Sequence, residues 1–154
     1  MLCVRFRLGD DDYAIPARKV ERVLPLVDLR PVPRAPAWVA GTMNYHGRIV
    51  PVIDLCALHL GRPVRRRVGT RLLLVRFRRG GGDEALLGLL AERVTDMLRV
   101  EDEAWQDTGV GVPEAPQLGG IALVDQRQVQ CIEVDRLLSE DVQRLLFDEE
   151  MLEP

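Results

Sequence analysis

The sequence predicts a mainly β protein assembled from small barrels, and three observations carry that prediction. Short β-rich runs recur along the chain between turn signals at Gly9–Asp12, Asn44–Gly47, Arg78–Asp83 and Asp125–Gln128. Prolines at Pro25, Pro31, Pro33 and Pro36 forbid a regular helix in that stretch. A sustained helical period appears only at the C-terminus, where Val134, Leu137, Leu138, Val142, Leu145 and Leu146 follow an i, i+3, i+4 spacing.

Taken in order, Leu2–Leu8 alternates as a half-buried strand, and Tyr13–Ile15 returns as its hairpin partner. Ala17–Val23 sets Val20 and Val23 among charged residues, which predicts a short helix stopped by Pro25. Pro25–Pro36 reads as an extended edge, and Ala35–Val39 as one helical turn. The Gly41–Leu55 stretch predicts a hairpin: Gly47 supplies left-handed backbone freedom, and the short Asn44 side chain can bond backbone groups around the bend. Pro51 donates no ladder hydrogen bond, so its strand is expected at an edge where a partner can dock, through Ile49, Pro51 and Val52.

Leu55–Leu60 predicts a helical piece ended by Gly61 and Pro63, and Arg62–Gly69 a connector. Strands are then expected at Arg71–Phe77, Ala85–Leu90 and Val94–Val100, and a loop at Trp105–Gln117. Gly120–Val124 and Val129–Glu133 form a last hairpin. Ser139 is placed to cap a helix whose first residues, Glu140 and Asp141, suit its positive dipole end.

At 154 residues the chain suits one domain or two interlocked subdomains. A hydrophobic fraction of 47% and a charged fraction of 29% fit a globular protein, and the net charge of −3 argues against nonspecific nucleic-acid binding. Charge is unevenly spread: Arg62–Arg79 holds eight arginines and no acid, whereas fourteen acids follow from Glu101 onward. Cys3, Cys56 and Cys131 lack disulfide or metal spacing, so no metal site is expected. No run approaches the ~18 apolar residues of a membrane span, which points to the cytoplasm and against direct membrane insertion.

Catalytic groups do not converge in the sequence. His46 and His59 are the only histidines, and nucleophile elbow, Walker loop and dinucleotide fingerprint are all missing. Asp54, Glu92 and Asp96 stand at strand ends, where capping and turn-making suit them better than acid–base work. The expectation is a protein that is not an enzyme, with no catalytic residue and no cofactor.

The runs Lys19–Val23, Val32–Gly41 and Asn44–Leu55, in particular Asn44-Tyr45-His46-Gly47-Arg48-Ile49-Val50-Pro51-Val52-Ile53-Asp54-Leu55, resemble the CheW-like coupling proteins of bacterial chemosensory arrays. Gly88–Val94 is similar to that family's Gly-Leu-x-Val-Asp-x-Val segment, and Gly120-Ile121-Ala122 to the start of its last hairpin. The resemblance implies two intertwined five-stranded SH3-like barrels without a catalytic centre. Over residues 1–154 it suggests subdomains at approximately 15–75 and 76–135, the latter joined by the N-terminal strand 2–8, and a helix over 136–150. It also implies two partners: the regulatory domain of a CheA-type histidine kinase, and the cytoplasmic tip of a methyl-accepting chemoreceptor at arrays on the inner membrane.

By motif position, Val20, Arg22, Gly41, Asn44 and His46 fall where the family contacts the receptor or shapes that surface. Arg22 stands where the family commonly has an acid, and His46 where it has the arginine of Asn-Leu-Arg-Gly. Arginine and histidine form no ion pair in either histidine state. That departure suggests an accessory system with its own receptor and kinase, controlling surface behaviour or second-messenger output, with a drifted standard coupling protein as the other possibility. The competing class is a small-barrel nucleic-acid binder using Arg62–Arg79, but such binders stack bases on aromatics and this segment has only Phe77.

Overall fold

The computed structural model describes residues 1–80, 82–107 and 115–147. Among the described residues are nine strands: β1 (Leu2–Leu8), β2 (Asp11–Pro16), β3 (Val20–Leu24), β4 (Val39–Tyr45), β5 (Arg48–Asp54), β6 (Arg71–Arg78), β7 (Glu84–Arg99), β8 (Leu118–Val124) and β9 (Arg127–Ile132). Two α-helices, α1 (Leu55–Leu60) and α2 (Glu140–Phe147), and three 3-10 turns complete the elements.

The strands form two five-stranded SH3-like barrels that share β7. One runs β3-β6-β7-β5-β4 and the other β7-β1-β2-β9-β8. The first half of β7 pairs with β6 from Arg78↔Glu84 to Arg71↔Ala91, and its second half pairs with β1 from Arg7↔Glu92 to Leu2↔Arg99. Arg93 takes a left-handed φ of 49° where the strand passes from one sheet to the next. The two strands expected at Ala85–Leu90 and Val94–Val100 are therefore one. A subdomain division near residue 75 would cut β6; pairing instead assigns β6 and the first half of β7 to the first barrel, and β1 and β2 to the second.

Burial follows the two-residue strand period. Leu73, Val75 and Phe77 of β6 join Phe6, Leu8, Ile15, Leu87, Leu89 and Ile132 in the largest core, which draws residues from both barrels. Leu72 and Leu74 point the other way, into a cluster with Met43, Val50 and Val52. Both faces of β6 are covered, which is why it reads as an unbroken apolar run. A small cluster of Cys3, Ala14 and Val129 fills the second barrel.

Two helical expectations change. Ala17–Val23 holds only a 3-10 turn at Ala17–Lys19, after which Val20–Leu24 is strand β3, because β6 supplies antiparallel partners from Val20↔Val75 to Leu24↔Leu72. Tertiary pairing thus outweighs a weak local pattern. The C-terminal helix starts at Glu140, not at residue 136: Val134–Arg136 is a 3-10 turn, and Ser139 Oγ accepts the Val142 N–H at 3.3 Å. Residues 148–150 of the expected helix lie outside the described residues, as do Gly81 of the hairpin tip and 108–114 of the expected loop.

Candidate partner-binding surface

The β4–β5 hairpin closes at Tyr45↔Arg48 through a two-residue turn in which His46 (φ 51°) and Gly47 (φ 84°) are both left-handed. Asn44 Oδ1 accepts the Gly47 N–H at 2.8 Å, and the His46 ring stands edge-on to Tyr45 with centroids 4.4 Å apart. A non-glycine residue is held in left-handed backbone with its side chain exposed. Asn44 lies directly across from Ile49, which is 61% exposed. Asn44 and Ile49 are thus exposed as a cross-strand pair, while His46 is exposed at the tip against Tyr45.

Gly41 is buried on β4, at φ 144°, and serves close approach: a Cβ there would lie 2.5 Å from the Arg30 carbonyl oxygen. Arg30 and Thr42 exchange backbone hydrogen bonds of 2.9 and 2.8 Å, so the proline-rich segment covers the outer edge of β4. Gly41 therefore shapes the surface from beneath.

The expected docking edge needs correction. Ile49 is exposed, but Pro51 is buried and Val52 is 0% exposed. Val52 pairs with Gly41 on one side and, in parallel, with Gly88 of β7 on the other. The edge of β5 ends at the proline. Pro51 stands opposite Thr42, three pairs beyond the closing pair, where residues of a two-residue hairpin do not exchange hydrogen bonds. Its missing N–H costs the β4 ladder nothing.

Val20 and Arg22 stand on β3, at the opposite edge of the first sheet. Val20 is half-buried against the main core, whereas Arg22 is exposed and has no ion-pair partner among the described residues; its neighbour Glu21 pairs with Arg76 at 3.1 Å. Leu24 and Met43, from the two edge strands, pack in one cluster, which curls the edges toward each other.

Buried carboxylates hold this framework. Asp54 Oδ1 caps α1 by accepting the Ala57 N–H at 3.1 Å, while Oδ2 accepts the Val64 N–H at 2.8 Å. Glu92 accepts a two-pronged contact from Arg62 and the Arg65 N–H at 2.7 Å; the Arg62 hydrogen bond, against a smaller opposing effect of burial, holds its carboxyl down at about 2. Asp12 was legible only as a turn residue, yet it is 4% exposed and meets Arg5, Arg7 and Arg127 at 3.4, 3.1 and 2.6 Å. Burial alone would push its carboxyl up, but Arg127, Arg7 and Arg5 together hold it below the usual range.

All three cysteines are buried and unpaired, and burial lifts the Cys56 thiol to about 12 and Cys131 to about 11, so both are protonated at neutral pH. Among the described residues, no cluster suits a metal and no helix is long and apolar enough to cross a membrane. Phe77 of the arginine-rich segment is fully buried and offers no stacking surface to a base.

The model of the CheW-like domain family matches residues 2–142. This chain belongs to that family. The CheW-like domain is 29% identical over 143 residues to a probable chemotaxis protein CheW of Rhizobium etli, covering 89% of this chain and 86% of that one. It is 24% identical over 135 residues to the chemotaxis protein CheW of Thermotoga maritima, covering 88% and 85%. The crystal structure of the scaffolding protein TtCheW from Thermoanaerobacter tengcongensis superposes on this CheW-like fold with a TM-score of 0.77 at 23% identity, over 90% of this chain and 87% of that one.

Proposed function

We propose that this protein is a non-enzymatic adaptor coupling methyl-accepting chemoreceptors to a CheA-type histidine kinase in a bacterial chemosensory array. The observation that carries the reading is the CheW-like match across residues 2–142, on barrels joined through β7. An adaptor needs partner surfaces held at a fixed separation, and a single strand running through both sheets supplies that rigidity. The receptor tip meets the surface made by Arg22, Asn44 and His46, with Val20 and Gly41 setting its shape. The kinase regulatory domain meets the exposed start of β5 at Ile49. The protein works in the cytoplasm, at receptor arrays on the inner membrane.

Arg22 and His46 leave this surface without an acidic member at either named position, which supports service in an accessory array with its own receptor, one governing surface behaviour or second-messenger output. Pull-down of the purified chain against several receptor–kinase pairs tests both levels. Selective capture of an accessory pair is expected. Equal binding to a flagellar pair removes the accessory assignment, and binding to no pair contradicts the adaptor role.

A further inference from the structure

We propose that the cavity beside the connector between α1 and β6 binds a small polyphosphate anion. Its volume is ≈ 360 Å³, within the range of small-molecule sites, and its charged lining is Arg62, Arg65, Arg67 and Arg93 with Asp10 and Glu92. Glu92 is already engaged by the Arg62 guanidinium and the Arg65 N–H. The side chains of Arg65, Arg67 and Arg93 make no ion pair among the described residues, so three guanidinium groups face Asp10 and a Glu92 already clamped by Arg62.

The connector has no regular structure, yet its backbone is pinned at Val64, Arg65, Arg67 and Gly69. Asp54 Oδ2 accepts the Val64 N–H at 2.8 Å, and Thr70 Oγ1 donates to the Arg65 carbonyl at 2.6 Å while accepting the Arg67 N–H at 3.3 Å. The Gly69 carbonyl accepts the Val94 N–H at 2.9 Å. A pinned backbone removes the cost of ordering the loop on meeting an anion, leaving only that of the arginine side chains.

Arg93 supplies an independent sign. It occupies left-handed backbone (φ 49°) at the point where the β1–β7 register shifts between Arg5 and Arg7. Glycine or asparagine suits that conformation, and the bend itself does not ask for an arginine. Its side chain lines this cavity and also a neighbouring one of ≈ 330 Å³, where Arg5 and Arg7 are already paired with Asp12, so the unpaired charge it adds belongs to the first cavity.

Guanidinium forks match phosphate oxygens two at a time, and several open forks around one cavity suit an anion with more than one phosphoryl group. The lining contains no aromatic residue, so it offers no stacking platform to a nucleic-acid strand. The cavity shares no residue with the proposed receptor surface, so its test is independent of the coupling role.

Calorimetric titration of the full chain with pyrophosphate and tripolyphosphate at low ionic strength reads the site directly. Saturable one-to-one binding is expected, stronger for tripolyphosphate. Arg67→Gln and Arg93→Gly each lower affinity about tenfold; the second keeps the left-handed backbone accessible and so preserves the fold. Arg78→Gln, outside the cavity, leaves affinity unchanged. The proposal is overturned by lack of saturable binding, by an equal loss in Arg78→Gln, or by an oligo-glutamate peptide binding the same residues more tightly than tripolyphosphate, which would assign the site to an acidic protein partner.

Discussion

Arg62 and Glu92 meet through two parallel contacts, Nη1 to Oε2 and Nη2 to Oε1, both at 3.1 Å, which tie the connector after α1 to the strand shared by both barrels. Glu92 is 9% exposed and also accepts the Arg65 N–H, so removing its charge strands two donors at once. Glu92→Gln is expected to lower stability by about 2 kcal/mol, measured by urea unfolding. A change within measurement error would show that the clamp contributes nothing.

The same pair sets an acid limit. The Glu92 carboxyl sits at about 2 in the fold against an ordinary value of 4.5, so its contribution is complete above 4.5 and is lost as pH falls from there toward 2. Burial lowers the pKa of His59 below 6.5, so the unfolded chain binds its proton more readily and stability also falls as pH drops below that value. Unfolding free energy is therefore expected to decline in two phases on acidification. Glu92→Gln should reduce the phase below 4.5, to which Asp12 and Asp135 also contribute, and His59→Gln should flatten the phase below 6.5; unaltered profiles would contradict these assignments.

Gly41 and Gly47 both have positive φ but should respond differently. A Cβ at Gly41 meets the Arg30 carbonyl oxygen at 2.5 Å, whereas Gly47 has nothing within 4 Å. Gly41→Ala is expected to cost about 3 kcal/mol, and Gly47→Ala about 1 kcal/mol from backbone conformation alone. Gly41→Asp adds a buried carboxylate and should unfold the hairpin entry. A folded Gly41→Asp variant with unchanged receptor and kinase affinity would remove Gly41 from the surface.

Ile49 and Val52 separate binding from stability on one strand. Ile49→Thr keeps a β-branched residue at an exposed position, so stability should move by less than about 0.5 kcal/mol while affinity for the kinase regulatory domain falls about fivefold. Val52→Ala opens a cavity between two ladders and should cost about 2 kcal/mol without a specific binding defect. The reverse pattern would restore the buried half of β5 as a docking edge.

Much of this architecture was legible because local chemistry specified it. Asn44 and Gly47 set the hairpin turn, Gly61 ends α1 in left-handed backbone at φ 72°, and Ser139 caps α2. Features set by distant pairing were not. β3 is a strand because β6 lies beside it, and the continuity of β7 depends on a left-handed Arg93 that no sequence signal marks. The missing Pro51 donor concerns its own N–H side only and says nothing about Val52, which a parallel partner covers. The candidate surface rests on family resemblance, whereas the Asp12–Arg127 pair and the Glu92 clamp join residues far apart in sequence and became visible only in the fold.

The coupling claim is tested most directly by receptor-dependent autophosphorylation of a cognate CheA-type kinase, reconstituted with membrane-embedded receptor and this protein. Wild-type protein should bring kinase activity under receptor control. Arg22→Glu combined with His46→Glu should abolish that control while leaving the melting temperature and kinase-domain binding unchanged. Receptor control that persists fully in the double variant, or that never appears with the wild-type protein, would contradict coupling through this surface.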